Sequence, residues 1–413
     1  MNILLINHYA GSPRLGMEYR PFYLAREWVR AGHRVQIVAA SFSHVRSRQP
    51  AVDTAAFDEV IDGVAYRWLR TPAYTGNGAG RARNIWAFLR RLWAETAHFA
   101  DDFHPDVVIA SSTYPMDIWP ARRIARRAGA RLVFEVHDLW PLSPIELAGM
   151  SRWHPFALMC QKAENDACRD ADVVVSMLPK VAEHLRAHGL DLCKLHIVPN
   201  GISVDEWANE APPLDSRIAV HIETLKARGR TVVGYAGSQG LPNALDVLLD
   251  AASLLKNENV SFVLVGDGHE HARLARRVME EGLADVTLFA RVPKAQIPAL
   301  LSRFDIAYLG WQRKPIYRFG IAPNKLMDYM MAGCAVLHSV EAGNDPVAEA
   351  QCGLTVEPES PVAVAEGLRR LVTIGLPQRA ALGRRGREFV LANHTYPVLA
   401  GRFLDAVSGR TVA

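Results

Sequence analysis

The densest run of chemically able side chains is RFGIAPNKLMD, residues 318–328. Pro323 suits the start of a helix, so the backbone N–H groups of Asn324, Lys325 and Leu326 would lie unpaired in its first turn. With the Lys325 ammonium beside them, such groups form a cradle for an anion such as a phosphate. Asp328 follows Asn324 by four residues and shares its face, which sets a hydroxyl-accepting carboxylate beside the cradle. The plainer reading of these residues is a capped helix with a solvated Lys and Asp.

Three other segments could meet a ligand. NHYAGSPRLGME (7–18) follows an apolar run and precedes a helix expected near Arg20. Gly16 there would let backbone N–H groups approach an anion, and Glu18 is the carboxylate close to the same loop. This is no dinucleotide fingerprint, because Gly11 and Gly16 are too far apart and no acidic residue ends the next strand, so NAD is disfavoured. EVHDLWP (135–141) puts the His137 imidazole and the Asp138 carboxylate after a strand, where either could bond a sugar hydroxyl and His137 a phosphate oxygen. GYAGSQG (234–240) has three glycines spaced by three; Gly237 could expose backbone donors and Ser238 adds a hydroxyl. The lone Asp-x-Asp, Asp170-Ala171-Asp172, precedes a strand instead of following one, so a helix-end loop is expected and no metal site.

The elements that must hold these segments read as two βαβ series. The first has strands at 2–7, 34–39, 106–110, 131–136, 172–176 and 195–198, with helices such as 20–31 and 120–128. The second has strands at 231–235, 261–265, 286–289, 306–309 and 334–338, with helices from Ala244 and Lys325. A proline-containing stretch at 209–215 separates them. The expected fold is therefore α/β with two doubly wound domains, 1–210 and 211–393, and a final helix at about 394–413 that packs back on the first.

Composition bounds the rest. The 413 residues are 49% hydrophobic and 22% charged, as in ordinary globular proteins. Neither a membrane span nor a signal-peptide pattern is present, so a cytoplasmic protein is expected. Five cysteines without a CxxC pair indicate neither a zinc site nor a disulfide framework. The net charge of +4 lies in the first half, where 24 Lys and Arg face 20 Asp and Glu, too small an excess for nucleic-acid binding. Residues 81–99 read as an amphipathic helix, with Ile85, Phe88, Leu89, Leu92 and Trp93 on one side and Arg83, Arg90 and Arg91 off it. That pattern suits packing on the protein's own sheet or contact with a membrane surface, to which Arg122, Arg123, Arg126, Arg127 and Arg131 would add attraction.

Taken with RAGHRVQIVA (30–39), VPNGIS (198–203), LVGDG (264–268) and APNKLMDYMMAGCAVL (322–337), these motifs resemble the retaining glycosyltransferases of family 4, also called group 1. The resemblance covers nearly the whole chain and is nearest to the fucosamine-transferase-like enzymes of surface polysaccharide assembly. It implies the GT-B fold, two Rossmann-like domains facing across a cleft. It also implies transfer of a hexosyl or N-acetylhexosaminyl group from a nucleotide sugar, expected to be UDP-linked, to a glycan or polyprenyl-linked acceptor. No cofactor and no metal are expected.

By position, the resemblance puts Gly16 and Met17 beneath the donor diphosphate and sugar, and His137 at the sugar 6-position or the leaving phosphate. Asp328 stands for the second glutamate of the family's Glu-x7-Glu motif, which holds the ribose, and the backbone at Arg291 and Val292 would meet the base. Two departures stand out. The first glutamate falls on Gly320, and the diphosphate-clamping Arg and Lys fall on Ser238 and Asn243. Lys325, with the helix N-terminus and Arg318, is the expected replacement, and Glu18 the nearest alternative base. A nucleotide-sugar epimerase and a non-catalytic scaffold subunit remain as alternatives.

Overall fold

The computed structural model describes residues 1–76, 78–208 and 211–409. These form two units: Met1–Asn200 together with the chain from Tyr396 onward, and Gly201–Thr395.

The first unit is built on an eight-stranded sheet. Its strands are β1 (Asn2–Ile6), β2 (Arg34–Ala40), β3 (Ala56–Ile61), β4 (Val64–Leu69), β5 (Val107–Ala110), β6 (Arg131–Val136), β7 (Val173–Ser176) and β8 (Leu195–Ile197). They lie in the order β3-β4-β2-β1-β5-β6-β7-β8. All neighbours run parallel except β3 and β4, an antiparallel hairpin that the βαβ pattern did not anticipate. Its turn is Asp62-Gly63, both at positive φ, the geometry that matches the twist of two paired strands. The central strands are uninterrupted apolar runs because helices cover both faces.

The helices of this unit are α1 (Arg20–Arg30), α2 (Ala79–Ala94), α3 (Ile118–Ala128), α4 (Leu142–Ala148), α5 (Pro155–Asp170) and α6 (Ala182–Ala187). The terminal helix Tyr396–Ser408 packs on α1, with the Tyr396 ring 4.7 Å from Tyr23 and the Trp28 indole N–H donating to the Ala400 carbonyl at 3.2 Å. Residues 410–413 of the tail expected to return here lie outside the described residues.

The second unit carries β9 (Thr231–Ala236), β10 (Val260–Val265), β11 (Val286–Phe289), β12 (Ile306–Gly310), β13 (Ala335–Ser339) and β14 (Gly353–Thr355). They form one parallel sheet in the order β11-β10-β9-β12-β13-β14. The chain joins this unit at Gly201, where the Ile202 amide donates to His394 and the Ile202 side chain enters the second unit's core with Leu214. The units divide at 200/201, ten residues before the boundary expected at 210/211; of the residues between, 209 and 210 lie outside the described ones.

Strand order reverses between β1 and β5 in the first sheet and between β9 and β12 in the second. Ligands of such sheets bind where the connections part, beyond the carboxyl ends of these strands. No described helix is long and apolar enough to cross a membrane.

Candidate functional site

In the first unit the loops after β5 and β6 bring His137 into a buried polar chain. Glu135, at the end of β6, forms an ion pair at 2.9 Å with Arg20, the first residue of α1, and both side chains are only 1% exposed. Arg20 also donates to the carbonyls of Pro199 at 2.6 Å and Val198 at 2.8 Å. Burial alone would raise the Glu135 carboxyl, but the charge of Arg20 first, and then the neighbouring His137 and Ser111, hold it well below the usual carboxylate range.

The Ser111 hydroxyl donates to Glu135 at 2.6 Å, which leaves its oxygen able to accept from His137 Nε2 at 2.9 Å. Nε2 also lies 3.1 Å from the Glu135 carboxylate. An imidazole facing two acceptors carries its proton on Nε2, so Nδ1 is the nitrogen left for a ligand. Asp138 is committed elsewhere: it accepts from the Leu139 amide at 2.9 Å, from the Trp140 indole at 3.2 Å, and from Ser143.

The first loop sits at the same end of the sheet, since Arg20 follows Glu18 by two residues. Its backbone corrects one expectation. The Gly16 N–H is not open to an anion, because it donates to the Ser12 carbonyl at 2.8 Å within a closed turn. Met17 is 43% exposed, and the Glu18 backbone pairs with Tyr9 and Gly11.

In the second unit, β9 delivers Gly237 to the switch point, against Lys325. A Cβ on Gly237 would stand 2.5 Å from the Lys325 Cε, so the lysine would have to shift, and the glycine's φ of +147 adds backbone strain to any substitution. The Lys325 ammonium donates to the Tyr235 hydroxyl at 2.8 Å and to Asn243 Oδ1 at 2.5 Å. No carboxylate of a described residue pairs with it, and burial pulls its pKa from the ordinary 10.5 to about 8. Gly237, Ser238, Gly266, Asp267, Arg291 and Val292 line one cavity of about 250 Å³. Four residues chosen from the sequence thus share a cavity that Lys325 adjoins through Gly237.

The helix Asn324–Met331 carries Lys325 in its first turn and Asp328 one turn on. The Asp328 carboxylate accepts no hydrogen bond from a described residue. Burial, with the nearby Glu206 adding and Lys294 opposing, pushes its pKa up to about 7. Leu326 departs from its expected role: its side chain is wholly buried in the core and its N–H donates to the Pro323 carbonyl at 3.1 Å. That first turn keeps fewer free donors than the sequence implied. Gly320 has φ +96, so a glutamate could not be restored there without backbone strain.

Residues missed from the sequence are the supports: Arg20 and Ser111 behind His137, and Tyr235 behind Lys325. Asn243, which the resemblance offers only as the place of a missing lysine, is where the Lys325 ammonium reaches. Asp170 and Asp172 are structural, pairing with Arg122 and with the Leu132 amide respectively.

The amphipathic segment also differs from expectation. The helix α2 ends at Ala94 and buries Ile85, Phe88, Leu89 and Leu92, but Trp93 is 46% exposed because it lies beyond the apolar stripe. Trp93 and Trp119 wall both an apolar groove of about 750 Å³, which includes Trp86 and Arg90, and an adjoining basic one of about 530 Å³. Of the arginines there, Arg122 and Arg127 pair with Asp170 and Asp101, and Arg123 lies 4.9 Å from the Trp93 ring. Arg131 is drawn away to the Val407 carbonyl.

Residues 16–201 match the Glycosyl transferase 4-like domain and residues 230–373 match Glycosyl transferases group 1. A relative from Escherichia coli K12, the putative colanic acid biosynthesis glycosyl transferase WcaI, is 24% identical over 65% of this chain and 66% of its own length, just under two thirds. Sucrose-phosphate synthase from Thermosynechococcus elongatus superposes with a TM-score of 0.72 at 16% identity, covering 100% of both chains. Anabaena HepE, solved in complex with UDP, superposes with a TM-score of 0.67 at 14% identity, covering 99% of this chain and 100% of that one. Matched in sequence in both units and sharing their architecture, the chain belongs to the group 1 glycosyltransferases of GT-B fold.

Proposed function

We propose that this protein is a retaining glycosyltransferase using a UDP-linked hexose or N-acetylhexosamine. Its acceptor is a glycan or polyprenyl-linked glycan of surface polysaccharide assembly, met at the cytoplasmic face of a membrane. The observation that carries the donor reading is the Lys325 ammonium, buried with no carboxylate partner among the described residues and packed against Gly237. A diphosphate is the partner such a cation lacks, and a leaving nucleotide needs that charge. The relative named for colanic acid biosynthesis and the neighbour solved with UDP support the substrate class.

In this reading Lys325 holds the diphosphate, Asp328 accepts from the ribose hydroxyls, and the backbone at Arg291 and Val292 borders the base. His137 Nδ1 meets the sugar or the leaving phosphate, with Gly16 and Met17 nearby. The acceptor hydroxyl attacks from the side the nucleotide leaves, and a phosphate oxygen takes its proton, with Glu18 as the other candidate base. Lys325 supplies the cationic charge at the diphosphate, so turnover needs no metal there.

A thermal-shift titration with UDP, GDP, ADP and NAD, in EDTA and then with manganese, tests the donor. Selective stabilisation by UDP in EDTA is expected. A preference for GDP would change the donor, and NAD alone would overturn the reading. Acceptor-dependent release of UDP then separates a transferase from a scaffold, for which Gly320 in place of the first glutamate and Ser238 and Asn243 in place of the clamping Arg and Lys are the favouring features; donor binding without release would select the scaffold.

A further inference from the structure

Glu164 on α5 is 3% exposed, and among the described residues no lysine or arginine lies within ion-pair distance of it. The groups that face it are two histidines one helical turn apart. His184 on α6 has its Nε2 2.9 Å from Glu164 Oε1, and His188, which caps α6, has its Nε2 3.9 Å from Oε2. One ligand atom from each of the three residues can be chosen so that all lie within 4.8 Å of one another. A buried carboxylate that faces two imidazole rings and no lysine or arginine among the described residues lacks a fixed positive charge beside it.

The surroundings orient these atoms as a metal site requires. His188 Nδ1 donates to the His184 carbonyl at 2.7 Å, which leaves Nε2, 3.9 Å from Glu164 Oε2, as the nitrogen that can take an ion. The Gln161 amide donates at 2.8 Å to Glu164 Oε2, the oxygen that faces His188, and helps to hold the carboxylate in place. A contact of 3.9 Å is too long for a hydrogen bond. Two ligands of a tetrahedral ion, each about 2.0–2.1 Å from it, stand about 3.3 Å apart, between the two separations seen here.

Side-chain chemistry narrows the ion. Two imidazoles and one carboxylate suit zinc and its neighbours, not calcium or magnesium, which take oxygen ligands. The buried thiols of Cys160 and Cys168 flank Glu164 by four residues on either side, but the ligand atoms that come together are those of Glu164, His184 and His188 alone among the described residues. His188 is 23% exposed, which gives an ion a way in and a water a place as fourth ligand.

We propose that Glu164, His184 and His188 bind one divalent transition-metal ion, zinc in the first instance, which clamps α6 to α5. This site is independent of the donor reading and takes no part in transfer.

The test uses untagged full-length protein stripped with a chelator, then titrated with zinc against a chromophoric competitor and, separately, with cobalt(II). One equivalent should bind, raise the thermal midpoint and give a four-coordinate cobalt spectrum. His188→Ala, at the most accessible ligand, keeps the metal-free fold and should weaken zinc by more than the ~10–100-fold that loss of an outer-shell partner costs. Glu164→Gln should do the same if it folds, and His196→Ala should bind as wild type does. Failure of the wild type to take up an equivalent, or equal zinc affinity in His188→Ala, would overturn the proposal.

Discussion

Replacing Lys325 by methionine keeps the length of the side chain and removes its charge. In the empty protein that charge is a burden, since burial lowers the pKa from 10.5 to about 8. At ~1.36 kcal/mol per unit this costs up to about 3 kcal/mol of stability near neutral pH. The bonds to Tyr235 and Asn243 offset part of it, each contributing ~0.5–1.5 kcal/mol. Lys325→Met should therefore be more stable than wild type by about 1 kcal/mol, or a few degrees in the unfolding midpoint. The sign reverses with ligand present. A charge-assisted bond to a diphosphate is worth ~1.5–3 kcal/mol, so the variant should bind UDP about 10–150-fold more weakly.

Proton linkage gives a second check. Between about 8 and 10.5 the unfolded chain binds more protons than the folded one, so wild-type stability rises with pH across that window and the variant's advantage disappears above it. Thermal unfolding with and without UDP, repeated across pH, reads both effects. A variant equal to wild type in stability at neutral pH, and within about threefold of it in UDP affinity, would refute the assignment of Lys325.

Asp328→Asn should lower UDP affinity and abolish its rise as pH climbs through about 7, where the wild-type carboxyl ionises; calorimetric titration at several pH values would check this. Because the folded pKa is raised, that residue's contribution to stability is full at low pH and lost as pH rises through about 7, so the empty Asn variant should be the more stable above it. Glu135→Gln leaves Arg20 buried without its partner and should cost ~3–5 kcal/mol of stability, whereas His137→Ala should fold and lose turnover; unfolding and donor-hydrolysis assays on both variants separate the roles. The Glu135 pair should also be acid-labile, complete above the ordinary 4.5 and lost as pH falls below it, as acid unfolding monitored by circular dichroism would reveal. If the tryptophan and arginine grooves on α2 and α3 meet a membrane, flotation with anionic vesicles should exceed that with neutral ones and fall in Trp86→Ala with Trp93→Ala; equal flotation in all cases removes that part of the reading.

The two sheets were legible because parallel strands buried on both faces need unbroken apolar runs, which local sequence displays. The hairpin β3–β4 was overlooked although Asp62-Gly63 is a strong hairpin turn, because its strands, at an edge, carry polar residues such as Asp58 and Glu59 between apolar ones. The strand Gly353–Thr355 is too short to leave a pattern. Trp93 was assigned to the buried side because helical spacing gives the direction of an apolar stripe without saying where its edge falls.

By itself the sequence determined the two α/β units, the loops that end their strands, and the family whose motifs they carry. Its glycine turn, its Lys and Asp four or fewer residues from Asn324, and its His after β6 were all visible as local spacing. Only tertiary structure decided which of these groups have partners. Arg20 and Glu135 are separated by more than a hundred residues yet form one buried pair, and Lys325 meets Asn243 across a similar gap in the other unit. Glu164 faces two histidines from the next helix along the chain. Electrostatics in a low-dielectric interior depends on such through-space neighbours, and chain spacing does not encode them.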